Sequence, residues 1–104
     1  MSIYVIAQLA VHDEARYSRY MRSFAATLRP FRGRLLAADP DPELLEGPAA
    51  PDKVVVLEFD SREEAGRWAS SDAYQAIATD RRAAADCLVL AVRALPTGRG
   101  ARRP

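Results

Sequence analysis

Seven side chains of this 104-residue chain have the chemistry to bind a small molecule or to act on it. They comprise three aromatic rings, two carboxylates, one hydroxyl and one guanidinium: Tyr20, Glu46, Glu58, Trp68, Ser71, Tyr74 and Arg81. Brought together, they would form a small apolar pocket in which one carboxylate transfers a proton and the arginine holds an anion. The sequence does not single out any of them as the catalytic group.

Three of these residues also have a plain structural explanation. Trp68 and Tyr74 could simply pack a helix against a sheet, because large aromatic rings dominate the cores of small domains. Ser71 precedes an aspartate and a helical stretch, so it could serve as a helix cap. Packing and binding therefore both stay open for this group.

The carboxylate of Glu58 shares a strand face with two valines, where a buried charge requires a partner. Arg81 or Glu46 could supply that partner, and the alternatives are a structural ion pair and an acid–base site. Because a planar guanidinium suits a carboxylate, we expect Arg81 to face inward and to meet Glu46, Tyr20 or a bound anion at the mouth of a cavity.

Composition excludes several other classes of site. The chain has a single histidine, His12, and a single cysteine, Cys87, so we expect no disulfide and no metal site. A net charge of +1 provides no field for nucleic acid, and no nucleic-acid partner is expected. No Gly-rich phosphate loop is present, and no cofactor is expected.

Hydrophobic periodicity places the candidate residues on regular elements. Runs of β-branched and apolar residues predict four strands, over residues 3–9, 34–38, 53–59 and 87–93. A helical period follows the cap residue Asp13, and Ser61 and Ser71 each precede a further helical stretch. The order is strand, helix, strand, strand, helix, strand.

This order predicts one α+β domain over residues 1–95 with a ferredoxin-like βαββαβ fold, which is a four-stranded antiparallel sheet with the helices on one face. The first and third strands are apolar on both faces, so the uncovered face predicts a homodimer. Residues 96–104 are expected to form a disordered basic tail. With no signal peptide and no membrane span in the sequence, we expect no membrane partner and a cytoplasmic location.

A resemblance to a known family covers roughly residues 3–95, and its strongest motifs lie in residues 55–90. These motifs comprise Leu57-Glu58-Phe59, Trp68, Ser71, Tyr74-Gln75-Ala76 and Arg81. In these residues the chain resembles the small proteins of the domain of unknown function 1330 family. It departs from the family pattern at Arg32, where the family usually has the first glycine of a Gly-Gly pair.

The resemblance implies a dimeric α+β barrel, a superfamily that includes cofactor-independent monooxygenases, isomerases and cyclases. Two functions follow as hypotheses. The first is a pocket for a small organic molecule, with one of these cofactor-independent reactions. The second is a non-catalytic dimeric binding or interaction module, because no pair of histidines, cysteines or closely spaced carboxylates dictates a reaction.

Overall fold

The computed structural model describes residues 1–96, which form four strands and three helices. A single 3-10 turn, Arg29–Phe31, follows the first helix. In chain order the elements are β1 Ile3–Val11, α1 Glu14–Leu28, β2 Arg34–Asp39, β3 Lys53–Phe59, α2 Arg62–Ser70, α3 Asp72–Ala84 and β4 Ala85–Arg93. Apart from Pro96, the predicted tail lies outside the described residues.

Short polar side chains begin each helix. The carboxylate of Asp13 accepts a hydrogen bond from the backbone N–H of Arg16 at 3.1 Å, and Ser61 Oγ accepts one from the N–H of Glu64 at 3.1 Å. Such caps satisfy backbone donors that have no partner inside the helix. The helix starts predicted from the sequence therefore agree with the structure to within about one residue.

The four strands form one antiparallel sheet in the order β2-β3-β1-β4. The register places Ile6 of β1 opposite Val56 on one side and Leu90 on the other. This order is the one that right-handed crossovers give to two βαβ units. The predicted α+β, ferredoxin-like fold is confirmed.

All three helices pack on the same face of the sheet. Ile3, Val5 and Leu9 on β1 and Val55, Leu57 and Phe59 on β3 are buried in one cluster with side chains of the helices. The helices contribute mainly aromatic rings to this cluster: Tyr17, Tyr20, Phe24, Trp68 and Tyr74. The core thus forms between one sheet face and an aromatic layer.

The opposite face of the sheet is mostly apolar and has no covering element in residues 1–96. The strand register puts the polar Gln8 and Glu58 on this open sheet face together with seven apolar residues: Tyr4, Ile6, Val54, Val56, Leu88, Leu90 and Val92. Leu88 and Leu90 are 53% and 46% exposed, respectively. In the same residues, no helix is long and apolar enough to cross a membrane.

The turn between α1 and β2 accommodates the departure from the family pattern. Arg32 adopts a left-handed conformation with φ 56°, which a residue with a Cβ rarely takes. The following Gly33 is held by a different constraint, because a Cβ there would lie 2.7 Å from Cε1 of Phe59. The turn therefore places a non-glycine residue in the left-handed conformation and leaves no room for a side chain at the next position.

Candidate functional site

A cavity of about 430 Å³ lies between the helices and the sheet. Its floor consists of small and branched apolar side chains on the inner sheet face: Val5, Ala7, Leu9, Val55 and Leu57. Its walls are the aromatic rings of α1, α2 and α3. Exposed residues of α2, α3 and β4, among them Gly66, Gln75 and Val89, also line it, so the cavity opens to solvent on that side.

The junction between α2 and α3 fixes two of the aromatic walls. Ser71 Oγ donates a hydrogen bond to the carbonyl of Trp68 at 2.7 Å and accepts one from the backbone N–H of Tyr74 at 3.2 Å. One hydroxyl thus ends α2 and begins α3. The centroids of the Trp68 and Tyr74 rings lie 4.1 Å apart. Ser71 is a cap that positions these rings, and it does not itself line the cavity.

Trp68 is held by a further polar contact inside the core. Its indole N–H donates a hydrogen bond to Thr27 Oγ1 at 3.0 Å, and that hydroxyl donates in turn to the carbonyl of Phe24 at 2.7 Å. Only 5% of Trp68 is exposed. A buried indole with its N–H satisfied is a rigid wall. Both sequence explanations therefore apply to Trp68, which packs in the core and lines the cavity.

A chain of three polar groups crosses the cavity wall. The hydroxyls of Tyr20 and Tyr74 lie 3.0 Å apart, and Arg81 Nε donates to the hydroxyl oxygen of Tyr74 at 3.3 Å. Tyr74 and Arg81 are seven residues apart on α3, so two helical turns put them on one face. Tyr20 comes from α1, and packing of the two helices brings it to this pair.

Burial and local contacts together determine the ionisation of the polar groups at the cavity. Burial raises the pKa of Tyr20 far above its usual value, and the neighbouring Tyr74 phenol adds to the shift. Burial also raises the pKa of Tyr17. Burial alone would lower the pKa of Arg81, but its contacts with Tyr74 and Cys87 outweigh this effect and raise the pKa above its ordinary value. The phenols of Tyr17 and Tyr20 are therefore neutral and lie near a permanent cation, Arg81.

The charged residues that line the cavity are all positive. They are Arg62, Arg81 and Arg82, and among the described residues no aspartate, glutamate or histidine lines the cavity. In residues 1–96 no three His, Cys, Asp or Glu side chains lie close enough together to hold a metal ion. The cavity thus offers hydrogen-bond donors and positive charge without a carboxylate.

The two carboxylates predicted for the pocket lie elsewhere. Glu58 faces the open side of the sheet, where Arg34 Nε lies 3.2 Å from its Oε1. Glu46 is exposed in the loop between β2 and β3. The expected pairing of Glu58 with Arg81 or Glu46 is wrong, because the β2–β3 register puts Arg34 opposite Glu58. The expected contact of Arg81 with Tyr20 or Glu46 is replaced by one with Tyr74.

Of the seven sequence candidates, the structure brings four together at the cavity: Tyr20, Trp68, Tyr74 and Arg81. Their role in binding remains a prediction. Sequence reasoning missed Tyr17 and Gly66 as lining residues and Thr27 as the partner of Trp68. Tyr17 could have been found, because it lies three residues before Tyr20 and so shares its helix face. Gly66 carried no such signal.

Comparison with family models gives a match over residues 2–95 to DUF1330, described as a domain of unknown function. The chain belongs to the DUF1330 family. This assignment confirms the resemblance seen in residues 55–90. A search of curated proteins by sequence finds no match.

Solved structures similar to this DUF1330 protein share its fold at low identity. A protein of unknown function from Rhodopseudomonas palustris superposes with a TM-score of 0.79 at 17% identity, over 91% of this chain and 83% of that one. SnoaB, described as a cofactor-independent oxygenase from Streptomyces nogalater, gives 0.67 at 16% identity, over 93% and 96%. A dimeric ferredoxin-like protein of unknown function from Jannaschia sp. CCS1 gives 0.71 at 16% identity, over 90% and 100%.

Proposed function

We propose that this DUF1330 protein binds a small organic molecule in the cavity between its helices and sheet. The supporting observation is a solvent-open cavity of about 430 Å³ with apolar walls and one polar chain, Tyr20–Tyr74–Arg81. Ligand pockets in proteins have this composition, with a mostly apolar lining and a few convergent polar groups. A site used only for packing would not leave such a volume open, because protein interiors are close-packed.

We propose further that the bound molecule undergoes a cofactor-independent isomerisation, cyclisation or oxygenation. In support, Tyr74 and Arg81 can stabilise negative charge that develops on a substrate oxygen. Isomerisation and cyclisation of a substrate that binds as its anion need only charge stabilisation and delivery of a proton, which Arg81 and the Tyr74 hydroxyl can provide. An oxygenation would in addition consume dioxygen, as the description of the structural neighbour SnoaB suggests for that protein.

A non-catalytic binding module is the second candidate, and one observation favours it. Among the described residues, no carboxylate or imidazole lines the cavity, so the usual general bases are absent from it. The two candidates differ in what leaves the cavity. After long incubation with the protein, the bound compound can be extracted and analysed by chromatography. A binding module would release the compound unchanged, whereas an enzyme would release a reaction product.

Gly66 allows a direct test of the cavity. It lines the cavity on exposed α2, and a Cβ added there would meet no atom within 4 Å. Gly66→Trp should therefore fill the mouth without disturbing the core, while Gly66→Ala is the matched control that leaves it open. Ala at this helical position should also raise the stability by about 0.5–1 kcal/mol.

The experiment is a thermal-shift screen of organic acids, phenols and neutral aromatics against the wild type and both variants. We expect active compounds to raise the melting temperature of the wild type and of Gly66→Ala, because a ligand that binds only the folded state stabilises it. Gly66→Trp should lose this response. Compounds that stabilise Gly66→Trp as strongly as the wild type would refute binding in this cavity, as would the absence of any active compound.

We also propose that the protein is a homodimer whose open sheet faces meet. The face is apolar, and Ile6, Val56 and Leu90 form a row across its centre. Exposed apolar patches of this kind mark interfaces. Two neighbours in fold, from Jannaschia and Thermobifida fusca, are described as dimeric ferredoxin-like proteins.

Sedimentation velocity tests this association. A dimer with a face-to-face contact should bury more than about 1,200 Å² in total and persist at micromolar concentration. Ile6→Arg puts a charge at the centre of the face and should give a monomer, because an unpaired buried charge is strongly unfavourable. Ala26→Arg, on an exposed position of α1, is the control and should stay dimeric. A wild-type protein that sediments as a monomer would refute the proposal.

A further inference from the structure

The charge of the cavity restricts the class of ligand that it can take. Three arginines line it, whereas in the described part of the chain no acidic residue does, although the whole chain carries a net charge of only +1. Fifteen basic residues are nearly balanced by fourteen acidic ones, so this local excess is not a property of the composition. A concave, apolar site with one sign of charge concentrates ligands of the opposite sign.

Arg81 is the central cation of this set. It is half-buried, and among the described residues its guanidinium pairs with no carboxylate. Its Nε donates a hydrogen bond to the Tyr74 hydroxyl, and the guanidinium also contacts Cys87. By contrast, Arg16 and Arg19 on α1 both pair with Asp80. Because no carboxylate of the described residues pairs with it, the Arg81 guanidinium can donate to an anionic ligand in the cavity.

The hydrogen bond between Tyr20 and Tyr74 can give the cavity a second hydrogen-bond donor besides Arg81. Tyr20 is 5% exposed, and within the described residues its hydroxyl bonds to the Tyr74 hydroxyl. Either hydroxyl can donate across this 3.0 Å contact, and in one arrangement Tyr20 is the donor. The Tyr74 oxygen then accepts from Tyr20 and from Arg81, and its own proton is left over. The Tyr74 hydroxyl can donate that proton to a ligand.

The cavity thus presents donors and no base. A ligand that needed a carboxylate or an imidazole to remove its proton would find neither group in the described lining. A ligand that is already ionised at neutral pH would be held by the Arg81 fork and the Tyr74 hydroxyl, in charge-assisted hydrogen bonds. The aromatic walls formed by Tyr17, Phe24 and Trp68 would enclose a flat, apolar body.

From this geometry we infer that the ligand of the cavity is an organic anion with a flat apolar body, whose charged oxygen is bound by Arg81 and Tyr74. This inference rests on the proposed function, since it names the chemical class of the molecule bound at the same site. Arg82 and Arg62 border the cavity and add positive charge around it. The charged oxygen belongs to a carboxylate or to an acidic enol.

The test uses two probes of the same shape and different charge. 2-Naphthoate is an anion at about pH 7.5, whereas 2-naphthamide is neutral there. Isothermal titration calorimetry gives the affinity ratio of the two probes for each variant. A charge-assisted hydrogen bond is worth roughly tenfold or more in affinity, so we expect the wild type to favour naphthoate by about that factor.

Three variants assign the preference to the polar pair. Arg81→Gln should reduce the ratio to about one, and Tyr74→Phe should reduce it several-fold, because each removes one donor. Arg81→Lys keeps the charge without the planar fork and should give an intermediate ratio. Arg22→Gln, which removes the same charge from an exposed position of α1, is the control and should leave the ratio unchanged.

The outcomes separate this inference from the proposed function. A purely structural role of Arg81 would weaken both probes equally and leave their ratio at the wild-type value, which would overturn the inference. Equal affinity of the wild type for naphthoate and naphthamide would also overturn it, while leaving a small-molecule cavity in place. If neither probe binds, the inference fails, and the Gly66 screen decides separately whether the cavity binds any molecule.

Discussion

Trp68 allows the sharpest test of how the cavity wall is built. Its side chain is 5% exposed, and its ring centroid lies 5.3 Å from that of Phe59 and 6.1 Å from that of Phe24. Truncation of a buried Trp to Ala costs about 3–5 kcal/mol, since it removes apolar contacts and leaves a void. The free energy of unfolding of a native domain is about 5–15 kcal/mol, so Trp68→Ala should remove a large part of the stability.

Trp68→Phe separates packing from hydrogen bonding. It keeps an aromatic ring in the wall and deletes the indole N–H that donates to Thr27 Oγ1. Thr27 keeps its bond to the carbonyl of Phe24, so no buried donor is left unsatisfied. We therefore expect a loss of only about 1–2 kcal/mol.

The measurement is urea denaturation followed by circular dichroism. Fluorescence is unsuitable, because Trp68 is the only tryptophan. All variants should be compared at one protein concentration, since dimerisation makes the apparent stability depend on concentration. In thermal unfolding, each kcal/mol of lost stability lowers the melting temperature of a domain of this size by about 4 °C or more. The melting temperature of Trp68→Ala should therefore be at least about 12 °C below that of the wild type. A loss below about 1 kcal/mol for Trp68→Ala would show that the side chain is not a core wall.

Three further substitutions probe the turn after α1 and the contact between α1 and α3. Arg32→Gly should stabilise the protein by about 0.5–1 kcal/mol in urea denaturation, because glycine takes the left-handed φ of 56° without strain; a loss of stability would mean that the Arg32 side chain matters more than its backbone. Gly33→Ala should cost about 1–3 kcal/mol in the same assay, because its Cβ would lie 2.7 Å from the Phe59 ring, and an unchanged midpoint would contradict this close approach. Hydrogen bonds from Arg19 and Arg16 lower the pKa of Asp80. The stabilisation by Asp80 is therefore present above the unfolded-state pKa of about 3.9 and is lost as the pH falls through the folded-state pKa. The melting temperatures of the wild type and of Asp80→Asn should differ at neutral pH and converge in acid, and a difference independent of pH would contradict this linkage.

The elements of this protein could be predicted because their signals are local. Helix starts at Asp13, Ser61 and Ser71 depend on a side chain and a backbone N–H three residues apart, so a short stretch of sequence contains both partners. The strand order followed from the right-handed crossover, which applies to any chain with this element order. The open sheet face could be predicted for the same reason, because alternation along β1 and β3 assigns each residue to a face.

The site could be predicted only in part, because its contacts join residues that are distant in sequence. The pairing of Tyr74 with Arg81 lies within one helix, and their spacing of seven residues already put them on one face. The bond between Tyr20 and Tyr74 spans 54 residues and depends on how α1 and α3 pack. The sequence identified both aromatic residues as candidates but did not determine their distance.

The position of Glu58 shows what only the tertiary structure decided. Its face of the strand followed from alternation, but its partner depends on the register between β2 and β3, where a bulge between Leu35 and Ala37 shifts the pairing. A shift of one residue in register exchanges the two faces of a strand. The sequence therefore determined that Glu58 needs a cation, and the fold decided that the cation is Arg34, which leaves the described lining of the cavity without a carboxylate.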